Sequence, residues 1–208
     1  MKDVRTNVLV VAGPSGVGKT TLIRNAMQQH PGWTFSVSAT TRPQRGHEQE
    51  GKDYFFLTDS EFERRIRAGE FIEYANVYGR MYGTLRSEFE RAEKAGQGLL
   101  VEIDTVGCLT IRQLYPEFPT IAIVPPRYSV LRERLAGRGS ESKEEIDLRT
   151  QNAWVELGRM RGFDFVVIND DLGRASSEFS DVVKVVENGS FAVRARIDSI
   201  LATAGEEQ

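Results

Sequence analysis

The sequence predicts an α/β fold: a P-loop NTPase-type parallel sheet with helices on both faces, joined by a small α+β insertion. Three observations predict it. Apolar runs of strand length recur at residues 8–12, 99–103, 120–124 and 163–168, with helical stretches between them. Buried strands that alternate with helices mark a parallel sheet covered on both sides. The first run feeds directly into Gly13-Pro14-Ser15-Gly16-Val17-Gly18-Lys19-Thr20, followed by Thr21 and a helical stretch. That is the strand–turn–helix setting a phosphate loop requires. Residues 36–90 break the rhythm with short strands and a lone helix, which defines the insertion.

Taken in order, residues 8–12 form the first strand and 20–29 the first helix. Residues 32–38 are strand-like, and 39–52, rich in charge, Gly and Pro without periodicity, read as a loop. Residues 53–57 form a strand. Thr58 and Glu61 fit a capping box for a short amphipathic helix carrying Phe62 and Ile66 and stopped at Gly69. Residues 70–78 are strand-like and 79–84 turn back. A helix at 86–95 ends at Gly96. The run 99–103 is a buried strand with Asp104 at its carboxyl end, and 120–124 another, halted by Pro125-Pro126. Helices follow at 128–136 and 143–161, linked by the polar stretch 137–142. A core strand at 163–168 leads to Asn169-Asp170-Asp171. Helices near 174–187 and 191–201 close the chain, with 202–208 frayed.

Composition narrows the functional classes. The 208 residues are 40% hydrophobic and 27% charged, ordinary for one globular domain with a full core. A net charge of −3 argues against a general nucleic-acid binder. Arginine outnumbers lysine, and its planar fork suits phosphate, although a source-genome habit gives the same bias. Cys108 is the only cysteine, which excludes an intramolecular disulfide and a cysteine metal cluster, and its apolar neighbours suggest a buried hydrophobe. His30 and His47 are too few for a histidine metal site. Residues 1–7 are polar and unlike a signal peptide, and no apolar run approaches bilayer length, so the expected location is cytoplasmic.

Three groups of residues carry chemistry. In the phosphate loop, glycines let successive N–H groups curl towards a phosphate, with the helix N-terminus behind them. Lys19 can reach the β- and γ-phosphates, and Thr20 can offer its hydroxyl to Mg²⁺. Arg42 and Arg45, stiffened by Pro43, form either an anion clamp or a solvated charged loop. In the same insertion, Tyr54 and Tyr82 can complete a phosphate site. Glu73 can accept two donors from a purine edge beside Thr84, though each residue taken singly is equally an ordinary one. Arg134, Arg138 and Arg149 could close over a triphosphate, or could pair along helix faces with Glu133 and Glu145.

The stretches GPSGVGKTT, SVSATTRPQR, EQEGKDYFF, GEFIEY, MYGT, VEID, RLAGRGSES and VVINDDL stand in an order and spacing that resemble a guanylate kinase over about residues 7–187. The resemblance implies ATP-dependent phosphorylation of GMP, with dGMP as a second acceptor, within purine nucleotide metabolism and with Mg²⁺ accompanying ATP. It implies that residues 13–21 (Gly13, Pro14, Ser15, Gly16, Val17, Gly18, Lys19, Thr20 and Thr21) hold the ATP phosphates. Ser38, Glu73, Thr84 and Asp104 match the residues on guanine, while Arg42, Arg45, Tyr54 and Tyr82 match those on the GMP phosphate. Lys19, Arg138 and Arg149 match the catalytic cations, Thr20 the Mg²⁺ contact, and Arg134 and Asn169 positions near adenine and ribose. The implied partners are ATP and GMP, with no nucleic acid or membrane. The implied division is a core at 1–35 and 91–187, a GMP-binding insertion at 36–90, a lid at 137–149 and an extension at 188–208.

Two departures bear on the acceptor. Gly46-His47-Glu48 replaces the usual x-Gly-Glu, so the turn glycine has moved, and Val106 stands where a glutamine is usual. These motivate an alternative, a kinase of the same fold with another acceptor. A second alternative is a non-catalytic guanylate-kinase-like binding module, against which the intact Gly18-Lys19-Thr20 speaks. A GTPase reading based on Asp104 and Gly107 fails for want of an N-K-x-D motif.

Overall fold

The computed structural model describes residues 7–77, 79–136 and 143–189. Its core is a five-stranded, wholly parallel sheet in the order β2-β7-β1-β8-β9: Trp33–Phe35, Gly98–Glu102, Val8–Ala12, Thr120–Val124 and Phe165–Ile168. Alternate side chains of β1 enter two separate cores. Leu9 and Val11 pack with Leu22, Ile23 and Ala26 of α1 (Lys19–Gln29) and with Phe179 and Val183 of α7 (Leu172–Glu187). Val8, Val10 and Ala12 pack with Phe89 and Ala92 of α3 (Arg86–Lys94) and with Cys108 and Ile111 of α4 (Thr105–Leu114). A strand buried on both faces has no polar alternate position, so its sequence reads as one continuous apolar run.

The insertion has its own four-stranded sheet, β4-β3-β6-β5: Phe55–Phe56, Ala39–Thr40, Arg80–Leu85 and Phe71–Val77. Ala39, Phe71 and Leu85 bury against Phe62 of α2 (Asp59–Arg67), with Phe62 and Phe71 stacked at 4.5 Å between centroids. Helices α5 (Tyr128–Ala136) and α6 (Lys143–Arg159) pack together beyond β8. A single 3-10 turn, Met160–Gly162, takes the chain from α6 into β9.

Several expectations change. Residues 79–84 are not a turn: the reversal is confined to the start of this stretch, and Arg80–Leu85 is a strand paired with β5. The loop at 39–52 begins as β3, which pairs with both β6 and β4. Helix α4 has no counterpart in the sequence reading, because Val106, Gly107 and Thr110 are poor helix formers and burial of Cys108 and Ile111 overrides that preference. The capping box is half formed: Thr58 Oγ1 accepts from Glu61 N–H at 3.2 Å, but the Glu61 carboxylate turns to Arg64 and Arg65. The expected features at 137–142, 191–201 and 202–208 lie outside the described residues.

Candidate active site

The phosphate loop leaves the carboxyl end of β1, where open parallel sheets bind ligands. Gly16 and Gly18 have φ of 83° and 100°, so the loop needs glycine at both. A Cβ at Gly18 would also lie 2.5 Å from Asn169 Nδ2. Beneath the loop, the buried Asn169 donates from Nδ2 to the Val17 carbonyl at 2.7 Å, and Arg134 Nη1 reaches the same oxygen at 3.4 Å. Both residues expected near the nucleoside therefore brace the loop from behind. Lys19 Nζ lies across the loop, donating to Gly13 O at 2.7 Å and Pro14 O at 3.3 Å. An ammonium has three donors, so one remains for a phosphate oxygen.

Glu102, at the end of β7, was not singled out from sequence. Thr20 Oγ1 donates to its carboxylate, at 3.3 Å to Oε1 and 3.2 Å to Oε2. Pairing of Val11 with Glu102 brings this carboxylate beside the loop. Its signal was available: a carboxylate ending a buried strand next to a phosphate loop is the usual companion of the loop hydroxyl. Thr20 and Glu102 are hard oxygen donors. No group of three or more His, Cys, Asp or Glu that could cage a metal occurs among the described residues. One hydroxyl and one carboxylate, with the rest supplied by water and substrate phosphates, is the donor set that suits Mg²⁺.

Two residues beyond Glu102, Asp104 caps α4. Its Oδ1 accepts from Val106 N–H at 2.7 Å and Gly107 N–H at 3.0 Å. Facing this helix start is Glu73 of β5, only 5% exposed, whose Oε1 accepts from Thr84 Oγ1 at 2.6 Å. Burial pushes the Glu73 carboxyl up to about 7; the Thr84 hydroxyl opposes the shift and the charge of Asp104 adds to it. Ser38 directly precedes β3, and its carbonyl accepts from Phe55 N–H at 2.9 Å. Of the residues expected on the base, Thr84 and Asp104 thus lie beside the buried Glu73 carboxylate. Val106 is 46% exposed and adds no polar group.

Arg42 of the expected clamp is bidentate to Glu48, with Nη2–Oε1 at 2.7 Å and Nη1–Oε2 at 3.0 Å. Its guanidinium sits over the rings of Tyr54 and Phe56, at 5.3 and 5.7 Å. Tyr54 and Tyr82 meet edge to face at 6.0 Å. Burial pushes the Tyr54 phenol up to about 12, so it stays a donor at neutral pH. The Arg45 side chain is exposed, while its backbone N–H donates to Glu48 Oε2 at 2.8 Å. The moved glycine has no conformational role, since Gly46 is not among the positive-φ residues and a Cβ there would meet nothing within 4 Å.

Arg138 lies outside the described residues, and Arg149 is described only as a backbone position of α6. On that helix Glu156, which the sequence reading passed over, is half-buried. Desolvation raises its carboxyl pKa, and the charge of Lys19 acts against the rise.

Comparison with known proteins gives a consistent picture. The family model described as Guanylate kinase matches residues 5–186. The chain is similar to the guanylate kinase of Symbiobacterium thermophilum, 41% identical over 198 residues, covering 92% of this chain and 93% of the relative. It is also similar to that of Thermotoga maritima, 41% identical over 181 residues, covering 87% of each. Among solved structures, that of the guanylate kinase from Anaplasma phagocytophilum superimposes with a TM-score of 0.70 at 31% identity, over 86% of this chain and 85% of that one.

Proposed function

The chain belongs to the guanylate kinase family, and we propose how its residues divide that family's work. The protein catalyses ATP-dependent phosphorylation of GMP to GDP. One observation supports the division most: the end of β7 serves both substrates. Glu102 meets Thr20 on the phosphate-loop side, and Asp104 caps the helix that faces the buried Glu73.

On the donor side, the loop N–H groups and Lys19 bind the ATP β- and γ-phosphates, with Asn169 and Arg134 holding Val17 in place behind them. Thr20 and Glu102 would hold Mg²⁺, which when bound neutralises phosphate charge. On the acceptor side, Glu73 accepts from the guanine N1–H and N2–H₂ while Ser38, Thr84 and Asp104 complete the base site. Arg42, Arg45, Tyr54 and Tyr82 take the GMP phosphate. An ionised oxygen of that phosphate attacks Pγ of ATP. The new P–O bond forms as the bond from Pγ to the β,γ-bridging oxygen breaks, and ADP leaves. No general base is needed because the attacking oxygen carries no proton. Lys19, Arg138 and Arg149 meet the charge on the transferring group.

In this division the unit at 36–90 brings the acceptor to the donor; the expected lid at 137–149 lies in large part outside the described residues. dGMP is a second acceptor on the same base contacts, and the reaction belongs to the cytoplasm, where both nucleotides are held. The test is turnover of pure protein with Mg-ATP and a panel of nucleoside monophosphates, following ADP release. Turnover on GMP far above AMP, CMP and UMP is expected. A folded protein silent on GMP overturns the reading.

A further inference from the structure

Glu48 has no place in the scheme above, yet it makes the densest set of polar contacts in the acceptor loop. Its carboxylate takes both terminal nitrogens of Arg42 and the backbone N–H of Arg45. Its own backbone N–H closes a turn onto Arg45 O at 3.0 Å, and its carbonyl accepts from Gln44 Nε2 at 2.7 Å. The Arg42–Glu48 pair is well shielded, with the side chains 15% and 9% exposed. We infer that Glu48 is the positioning residue of the acceptor-phosphate clamp, one carboxylate that sets Arg42 through its side chain and Arg45 through its backbone. The inference rests on the proposed role of Arg42 and Arg45 at the GMP phosphate.

The physical reason has two parts. A free arginine carries rotamer entropy that binding must otherwise overcome. The fork-to-fork contact, with Arg42 Nη1 also donating to Pro43 O at 2.7 Å, removes most of that freedom before the phosphate arrives. Two guanidinium groups aimed at one phosphate also repel each other, and a carboxylate set against both offsets that repulsion. The contact does not exhaust Arg42. A guanidinium has five donors; Glu48 and Pro43 take three and the Tyr82 hydroxyl lies within reach of the others, so at least one N–H is left for a phosphate oxygen. The Arg42 pKa is raised and the Glu48 pKa lowered, each mainly by the other's hydrogen bond, so the pair stays ionised at neutral pH. The turn itself needs no glycine at Gly46, so the carboxylate supplies order that a turn glycine at this point does not.

Steady-state kinetics of the full chain tests this, using Glu48→Ala, Glu48→Gln, Glu48→Asp, Arg42→Ala and the Glu48→Ala/Arg42→Ala double variant. Glu48→Ala is expected to raise the KM for GMP about tenfold, the fold-change equivalent to about 1.4 kcal/mol, with kcat and the KM for ATP within about twofold. Glu48→Gln, which keeps the shape and one acceptor oxygen, should fall between wild type and Glu48→Ala and serves if the alanine variant does not fold. Glu48→Asp should recover part of the loss. The double variant should raise the KM for GMP by less than the product of the two single effects, because part of the Glu48 effect runs through Arg42 and only the part through Arg45 remains once Arg42 is gone. An unchanged or lowered KM for GMP in the Glu48 variants, beside a raised one in Arg42→Ala, overturns the inference; a carboxylate that merely blocked Arg42 would lower it. Losses that multiply in the double variant overturn it too, as does a lower melting temperature with kinetics unmoved. If Arg42→Ala itself leaves the KM for GMP unchanged, the clamp reading fails and the role of Glu48 falls with it.

Discussion

Gly107 and Glu73 fit together only because Gly107 has no side chain: a Cβ there would lie 2.6 Å from Glu73 Oε2 and 3.0 Å from its Cδ. Gly107 is in the first turn of α4 and Glu73 is on β5 across from it, so the helix start and the buried carboxylate share one small space.

Gly107→Ala should therefore act on GMP and not on ATP. Alanine gains about 1 kcal/mol of helix propensity. It must also push aside a carboxylate held by the 2.6 Å bond from Thr84, and disturbing such a buried contact costs roughly 1–3 kcal/mol. The second effect wins at the site. The KM for GMP is expected to rise about tenfold or more, with the KM for ATP near wild type. Equal changes in both constants would mean that the helix, not the base pocket, had moved.

The raised pKa of Glu73 gives a pH signature. Only the ionised carboxylate accepts from guanine through both oxygens, and burial holds its pKa up at about 7. Between pH 6 and 8 the KM for GMP should fall more steeply in wild type than in Glu73→Gln. Both proteins meet the same phosphate titration, so the difference isolates the carboxyl. Parallel profiles would remove Glu73 from the base site.

The same group should affect stability in the absence of substrate. Its folded pKa of about 7 is above the ordinary 4.5, so the folded chain keeps a proton that the unfolded chain releases. Its contribution is fully present below about pH 4.5 and is lost as pH rises through 7, a swing on the order of 3 kcal/mol. Denaturant titrations at pH 4.5 and 8 should show wild type losing stability relative to Glu73→Gln. A constant difference between the two proteins contradicts this.

Gly18→Ala should impair ATP binding. The residue has φ of 100°, and its Cβ would strike Asn169 Nδ2 at 2.5 Å. Left-handed backbone at a non-glycine residue costs about 1–3 kcal/mol. Asn169→Ala, which clears the clash but leaves the buried Val17 carbonyl without its 2.7 Å donor, should lower the melting temperature and raise the KM for ATP several-fold. A wild-type KM for ATP in both variants would detach Asn169 from the loop.

Glu102→Gln should raise the Mg²⁺ concentration needed for half-maximal activity and lower kcat, with the KM for GMP little changed. It keeps an oxygen near Thr20 but loses the charge that a hard divalent cation requires. An unchanged Mg²⁺ titration would assign the 3.2 Å contact with Thr20 to structure alone.

Much of this was legible in the chain before any tertiary contact was known. The core strands at 8–12 and 120–124 were legible because their burial on both faces leaves an uninterrupted apolar run. Strand β6 was not. Its six residues, Arg-Met-Tyr-Gly-Thr-Leu, look like a turn because Gly79 precedes them and Gly83 stands among them, and only pairing with β5 makes them a strand. Helix α4 was hidden for the opposite reason: its residues favour other states locally, and packing against β1 and β5 decides.

Within the site, sequence alone determined what is local. Eight consecutive residues, Gly13 to Thr20, make a phosphate loop because its N–H groups, glycine conformations and lysine all belong to one turn and the helix start behind it. Tertiary structure alone decided the contacts between distant residues. Glu102 meets Thr20 across 82 positions, and Asn169 lies under Val17 across 152, on a bond no spacing rule announces. The direction of a side chain at a strand end depends on which strand pairs beside it and in what register. That information resides in the sheet, and it is what sets Asn169, expected near the nucleoside, against the Val17 carbonyl of the loop.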